Sequence, residues 1–191
     1  MGSDSLQAAK AKLRQTQRTT RAARSTDDQH RASEAVIRHL VAHLQGQNHL
    51  KVAAFMAVRG EIDLAALREA LPELAWYIPK VVERDGPLHF GRWDPASLAT
   101  GAFGILEPSG ELVGVDTLDV VLAPGLAFTR EGDRLGMGGG FYDRTLNGYG
   151  GRVIGVAYEE EVLETIPSGA HDRRVDSLVS PSGWQDCHPT I

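Results

Sequence analysis

The chain has 191 residues, 42% hydrophobic and 24% charged, with a formal net charge of -5. That is room for one domain with a substantial core, and the charge balance argues against a surface built throughout for nucleic acid. A single cysteine, Cys187, excludes an intrachain disulfide framework and a cysteine metal cluster, while no apolar run approaches the roughly 18 residues of a membrane span; a cytoplasmic protein with neither a membrane nor a nucleic-acid partner is expected.

Residues 1–5 are expected to be disordered. Residues 6–26 contain no acidic side chain, while Lys10, Lys12, Arg14, Arg18, Arg21 and Arg24 supply six positive charges. On a helix over 6–26, Lys10, Arg14, Arg18 and Arg21 recur at spacings of four, four and three and form one basic stripe. Such a stripe is either a solvated face or a surface for an anion, and spacing alone leaves both open. Asp27 or Asp28 is placed to cap a second helix, with Ala32, Ala35, Val36, His39, Leu40, His43 and Leu44 on or near one face. His39 and His43 share an i,i+4 spacing, but without an HExxH arrangement or further ligands zinc is not expected.

The sequence LKVAAFMA over 50–57 reads as a buried strand, and a helix follows over 62–71 with Leu64, Leu67 and Leu71 inward. Glu61 falls at the strand-to-helix change, where open α/β sheets place ligand contacts; a first-turn carboxylate favourable to the helix dipole is the alternative. Residues 74–82 form another strand, with Pro79 suggesting an edge or a strand end and Lys80 facing either the site or solvent. LHFGRW over 88–93 is a short strand, and the turn-rich run over 94–114 contains Glu107-Pro108.

The most informative stretch covers 118–146. An apolar strand, Val120 to Ala123, ends at Pro124-Gly125; Gly136, Gly138, Gly139 and Gly140 then crowd together before a helix-like FYDRTL. Glycines let backbone N–H groups approach a ligand closely, and a following helix start adds unpaired donors and a favourable dipole. Arg134 upstream is a permanently charged fork, and Asp143 downstream is a carboxylate suited to the Mg²⁺ that accompanies a nucleotide. GxxxxGK[ST] is absent, so the loop is a different phosphate cradle or a flexible turn; Arg134 and Asp143 favour the cradle.

A strand over 152–158, a short acidic helix over 159–166 ended by Pro167, and a loop through His171-Asp172 into a strand over 175–180 complete the chain. Strands alternating with helices indicate the α/β class: a single layered α/β/α domain over 1–191 with a mostly parallel central sheet.

Lys10-x-x-Leu13-Arg14, Glu61, Glu107-Pro108, the PGLAF, RLG and GGGFYDR segments within 124–144, Pro167, His171-Asp172 and Val175-Asp176 together resemble the 5-formyltetrahydrofolate cyclo-ligase family, also called methenyltetrahydrofolate synthetase. The likeness covers about residues 10–183. It implies an ATP- and Mg²⁺-dependent ring closure of 5-formyltetrahydrofolate to 5,10-methenyltetrahydrofolate, through a phosphorylated formyl group. By resemblance, Lys10, Arg14, Arg134, Gly136, Gly138, Gly139, Gly140 and Tyr142 contact ATP. Met56, Glu61, Met137 and Phe141 contact the folate, which carries one or several glutamates. Asp143 and Asp172 hold the metal, Arg134 and Asp143 are catalytic, and Asp176 is structural. The chain is expected to be a monomer or weak homodimer. It departs from the family at Met137, Thr129 and Glu161, the last standing where Gln is expected. The alternatives are a related ATP-dependent enzyme on another folate, formyl or carboxylate compound, and a non-catalytic protein whose basic stripe binds RNA or another polyanion.

Overall fold

The computed structural model describes residues 3–101, 104–169 and 172–187. Helix α1 (Ser3–Ala22) begins earlier and ends earlier than the sequence suggests, so the disorder expected over 1–5 does not hold for residues 3–5. Helix α2 (Thr26–Leu44) is capped by Ser25, whose Oγ accepts the Asp28 N–H; Asp27 and Asp28 lie in the first turn rather than at the cap. Serine is short enough to reach back to that amide, and the two carboxylates then face the positive end of the helix.

Strand β1 (Lys51–Ala53) is shorter than the apolar run that contains it: the Ala54 N–H still donates to the Tyr77 carbonyl at 2.9 Å, and Phe55 is buried beyond that last bond. The helix expected over 62–71 is confined to α3 (Leu67–Ala70). Ile62 and Leu64 are buried in irregular chain before it, where the Asp63 carboxylate accepts the Ala65 N–H and caps a turn. Their burial matched an inward helical face; the backbone turn satisfied by Asp63 is what the spacing did not reveal. Next come β2 (Ala75–Val81), β3 (Leu88–Arg92), the hairpin strands β4 (Leu98–Thr100) and β5 (Leu106–Pro108), and β6 (Leu112–Val113). Then follow β7 (Val120–Pro124), the small pair β8 (Ala127–Phe128) and β9 (Arg134–Leu135), α4 (Phe141–Thr145), β10 (Arg152–Val156), β11 (Ser177–Ser180) and β12 (Gly183–Asp186). The acidic helix expected over 159–166 is only a single 3-10 turn, Glu159–Glu161.

Eight strands form one sheet in the order β12-β11-β10-β7-β1-β2-β3-β6. The four pairings around β7, β1 and β10 are parallel, and the outer three are antiparallel. Both faces are covered, which is why the central strands read as unbroken apolar runs. Val120 and Leu122 face the layer holding α2 and α3, while Val121 and Ala123 face the layer holding Leu146 and Tyr149. This is the expected layered α/β/α arrangement.

Two glycines set the close approach on the second face. A Cβ at Gly155 would stand 2.7 Å from the Phe128 ring, and one at Gly125 would stand 2.7 Å from the same ring. No described helix is long and apolar enough to cross a membrane.

The sheet order places a site. From β1 the chain passes through α3, packed on one face, to β2 on one side; from β7 it passes through α4, on the other face, to β10 on the opposite side. Adjacent β1 and β7 therefore diverge at their carboxyl ends. Open α/β sheets leave a crevice at such a switch point.

Candidate active site

The crevice is occupied by a cavity built from the segments that leave β1 and β7. Phe55, Met56, Val58 and Glu61 contribute from the first; Pro124, Arg134, Gly136, Met137 and the start of α4 from the second. Pro79 and Val81 of β2 and Glu107 of β5 close another side. Pro79 is accommodated because β1 pairs with β2 only as far as Tyr77, so no ladder partner is waiting for the missing N–H on that side. Lys80 instead donates to the Pro108 carbonyl at 3.0 Å.

Arg134 is the buried charge at the centre. Its Nη2 donates to Asp143 Oδ1 at 2.5 Å and its Nη1 to the Pro124 carbonyl at 3.2 Å. Its Nε is buried without an acceptor among the described residues. A Cβ at position 136 would stand 3.0 Å from Arg134 Nη1, so glycine there leaves the guanidinium its space.

The glycine loop is held from the other side by α1. Arg14 Nε donates to the Gly136 carbonyl at 2.9 Å and Arg18 Nη2 to the Met137 carbonyl at 2.8 Å. In a trans peptide the following N–H points opposite the carbonyl, so the amides of Met137 and Gly138 are directed away from α1. Among the described residues, the amides of 137–140 have no intramolecular acceptor. Gly138 (φ 107°) and Gly140 (φ 68°) hold left-handed backbone that gives the loop its turn. Four unpaired N–H groups beside a buried arginine suit a phosphate-rich ligand. The short α4, a single turn, adds little dipole, so an anion here would meet chiefly the loop amides and Arg134.

Asp143 and Asp172 stand apart. Asp143 is tied to Arg134, whereas Asp172 Oδ2 takes Lys10 Nζ at 2.5 Å and the Gly169 N–H at 2.6 Å. Among the described residues no group of three His, Cys, Asp or Glu side chains could hold a metal ion by itself. Mg²⁺ is commonly bound by one or two carboxylates together with substrate phosphates, and the partly exposed Asp143 beside the unpaired amides fits that mode. His171, expected beside Asp172, lies outside the described residues. Of the residues named from sequence, Met56, Glu61, Arg134, Gly136, Met137, Gly139, Gly140, Phe141, Tyr142 and Asp143 line the cavity; Arg14 and Gly138 meet it through the loop, and Lys10 and Asp172 form a pair outside it.

Glu61 is buried, with Oε2 accepting the Val58 N–H at 3.1 Å. Burial raises its carboxyl to about 7, partly countered by the Val58 amide and by Arg21. Desolvation likewise pushes the Tyr142 hydroxyl above its usual range, with Glu61 adding to the effect.

Three site-adjacent residues carried no role from sequence. Arg21 is buried, with Nε donating to Glu161 Oε1 at 2.8 Å, Nη2 to the Gly125 carbonyl, and Nη1 lying 3.7 Å from Glu61 Oε1. Glu161 is buried too, although a run of acidic residues is most often solvated. Glu107 is buried on the cavity wall. The stripe spacing identified Arg21 as part of a face; only Glu161's departure from the expected Gln hinted at its partner.

Among the other expectations, His43 stacks on Trp184 with centroids 4.1 Å apart and His39 Nε2 meets the Pro181 carbonyl, so the two histidines serve packing. Burial pushes the Cys187 thiol up to about 11, far from a reactive thiolate. The Asp176 carboxylate accepts the Val153 N–H at 2.7 Å and pairs with Arg173, a structural bond between strands.

A three-layer α/β protein with a glycine loop of unpaired amides and a buried carboxylate at one switch-point cavity has the form of a small-molecule enzyme. The sequence pattern of the 5-formyltetrahydrofolate cyclo-ligase family matches residues 6–181, and the chain belongs to that family. A 5-formyltetrahydrofolate cyclo-ligase of Mycolicibacterium smegmatis is 36% identical over 141 residues, covering 68% of this chain and 73% of the relative. An Escherichia coli enzyme of the same name is 35% identical over 141 residues, covering 69% and 78%. The solved structure of the 5,10-methenyltetrahydrofolate synthetase of Aquifex aeolicus superposes with a TM-score of 0.85 at 37% identity, covering 95% of this chain and 94% of the other.

Proposed function

We propose that the chain closes the ring of 5-formyltetrahydrofolate to give 5,10-methenyltetrahydrofolate, consuming ATP and releasing ADP and phosphate. The observation that carries this reading is the sharing of one cavity by unpaired loop amides, Arg134 and the buried carboxylate of Glu61. The formyl oxygen of an amide is a poor leaving group; once phosphorylated it departs as phosphate when N10 attacks the formyl carbon.

The protein's share is positioning and charge neutralisation. The amides of 137–140 and Arg134 face the phosphoryl group as charge spreads over its oxygens. Lys10 and Arg14, with Tyr142, belong to the nucleotide side. Glu61 accepts N–H donors of the reduced pterin, and Met56, Met137 and Phe141 pack against its ring. Apolar walls of Phe55, Val58 and Val81 exclude water that would hydrolyse an activated formyl group. Asp143 would hold the Mg²⁺ that accompanies the nucleotide, with Asp172 as a second carboxylate on the nucleotide side, and the ion would supply further charge neutralisation there.

The reading also holds that the chain works as a single domain in the cytoplasm, as a monomer or weak homodimer, on folates with one or several glutamates. The polyanion-binding alternative is less supported because Lys10, Arg14, Arg18 and Arg21 all bond within the protein. Mixing the protein with 5-formyltetrahydrofolate, ATP and Mg²⁺ and following the methenyl chromophore tests the proposal. Chromophore formation is expected; its absence with ATP still bound favours another folate, formyl or carboxylate substrate.

A further inference from the structure

Glu61 is poorly placed for an ordinary carboxylate and well placed for a recognising one. Its Oε2 is fixed by the Val58 amide, whereas Oε1 makes no hydrogen bond among the described residues, although Arg21 Nη1 lies 3.7 Å away. That separation is too long for a hydrogen bond. Arg21 Nη1 is itself buried and without an acceptor. A guanidinium and a carboxylate so close would ordinarily close into a bidentate pair. Here Arg21 is anchored elsewhere, by Nε to Glu161 Oε1 and by Nη2 to the Gly125 carbonyl.

Glu161 is rigid in turn. Its Oε2 accepts the Tyr158 N–H at 3.2 Å, and Arg24, stacked 3.5 Å over the Tyr158 ring, lies 3.9 Å from Oε1. The Tyr158 hydroxyl donates to the Gly60 carbonyl at 3.0 Å, the residue before Glu61. The network therefore closes on the segment that carries the recognising carboxylate.

We propose that Glu161 and Arg21 are positioning residues for Glu61: Glu161 draws the Arg21 guanidinium back from Glu61, leaving Oε1 free to accept from the folate while a positive charge stays close enough to support its ionised form. The inference rests on the folate role given to Glu61 above. Because a second negative charge lies behind Arg21, the field reaching Glu61 is weaker than an arginine alone would supply.

Arg59 on the loop of Glu61 lowers the cost of the Glu61 charge and Glu161 raises it. From α4 and the strand before it, neutral Tyr142 and Arg134 face the same cavity. Glu107 faces it from β5. Arg134 is committed to Asp143 and Arg24 to Glu160 and Glu161. Arg21 is thus the near cation whose share is divided between two buried carboxylates.

The test compares Glu161→Gln, Arg21→Gln and Arg21→Lys with the unaltered chain. The titration of the Glu61 carboxyl carbon is read by NMR in the ligand-free protein, and the acid limb of kcat/KM for the folate is read from chromophore formation. In Glu161→Gln both move to lower pH by roughly one unit; in Arg21→Gln both move up by a similar amount, and Arg21→Lys largely restores them. KM for ATP is expected to stay constant in Glu161→Gln. A lower Tm or kcat with an unmoved Glu61 titration means the pair is merely structural and overturns the inference. If Glu161→Gln does not fold, Arg21→Lys and Arg21→Gln decide by the same readouts. A silent chromophore assay in the unaltered chain would count against the proposed reaction, whereas the ligand-free titration reads the Arg21–Glu161 effect regardless.

Discussion

Arg134 and Asp143 face each other across the glycine loop, Nη2 donating to Oδ1 at 2.5 Å, with the arginine side chain 2% exposed and the aspartate side chain 33% exposed. The buried partner is oriented by the accessible one, and the accessible one keeps an edge for a further cation. Asp143→Asn preserves the shape and one acceptor oxygen but removes the charge. Turnover is expected to fall by on the order of 100-fold while Tm stays nearly constant. Steady-state rates across a Mg²⁺ series check this, and unchanged turnover at limiting Mg²⁺ would sink the metal role.

Arg134→Ala removes the only side-chain partner of Asp143 among the described residues and the charge beside the loop amides. KM for ATP is expected to rise and kcat to fall, together by on the order of 100-fold or more in kcat/KM. Arg134→Lys recovers little, because an ammonium cannot reach both Asp143 and the Pro124 carbonyl as a planar fork does. Unaltered ATP kinetics in Arg134→Ala would exclude the role.

Lys10→Gln separates Asp172 from its cation while α1 keeps its place through Arg14, Arg18 and Arg21. The expected result is weaker nucleotide use, with KM for ATP up roughly tenfold and KM for the folate little changed. Paired titrations of the two substrates check it. A selective change in folate KM would reassign this end of the stripe.

Glu61 also links stability to pH. Its carboxyl stands at about 7 in the fold against an ordinary 4.5, so the folded state binds the proton more tightly than the unfolded chain. The resulting stabilisation is fully present below about 4.5 and is lost as pH rises through about 7, amounting to about 3 kcal/mol. Urea unfolding of Glu61→Gln is expected to lack this part of the pH dependence. An identical slope in both proteins would contradict the burial argument.

Gly155→Ala is expected to cost about 1–3 kcal/mol, because its methyl would press on the Phe128 ring at 2.7 Å and on Leu178 at 3.1 Å. Phe128→Leu in the same chain should return part of the loss. Thermal unfolding of both single variants and the double variant measures that coupling; strict additivity would mean that the ring is not the obstacle.

Much of the candidate site was legible because its chemistry is local in sequence. Gly136 to Gly140, Arg134 and Asp143 lie within ten residues, and four glycines so close have few purposes other than a tight, amide-rich turn. Apolar runs likewise marked β7, β10 and β2, where both faces of the sheet are buried. Elements shorter than a turn or two were harder. The stretch over 62–71 has the right burial for a helix, yet only Leu67–Ala70 is helical and a turn held by Asp63 precedes it, and Glu159–Glu161 closes after one 3-10 turn although its acidic run read as a short helix. Periodicity reports which side chains face inward, and an irregular chain can satisfy the same pattern.

The sequence by itself determined the layered α/β class, the glycine cradle with its arginine and aspartate, and, through resemblance, the family and its substrate. These follow from local spacing and from motifs whose order is kept along the chain. Only the tertiary structure decided that the basic stripe of α1 bonds within the protein, that Lys10 pairs with Asp172 outside the cavity, and that Arg21 is divided between Glu61 and Glu161. Those pairings join residues 40 to 162 positions apart. They exist because β1 and β7 are neighbours in the sheet and α1 lies where their loops diverge. Charge at such distances in sequence has no partner until the strand order brings one beside it.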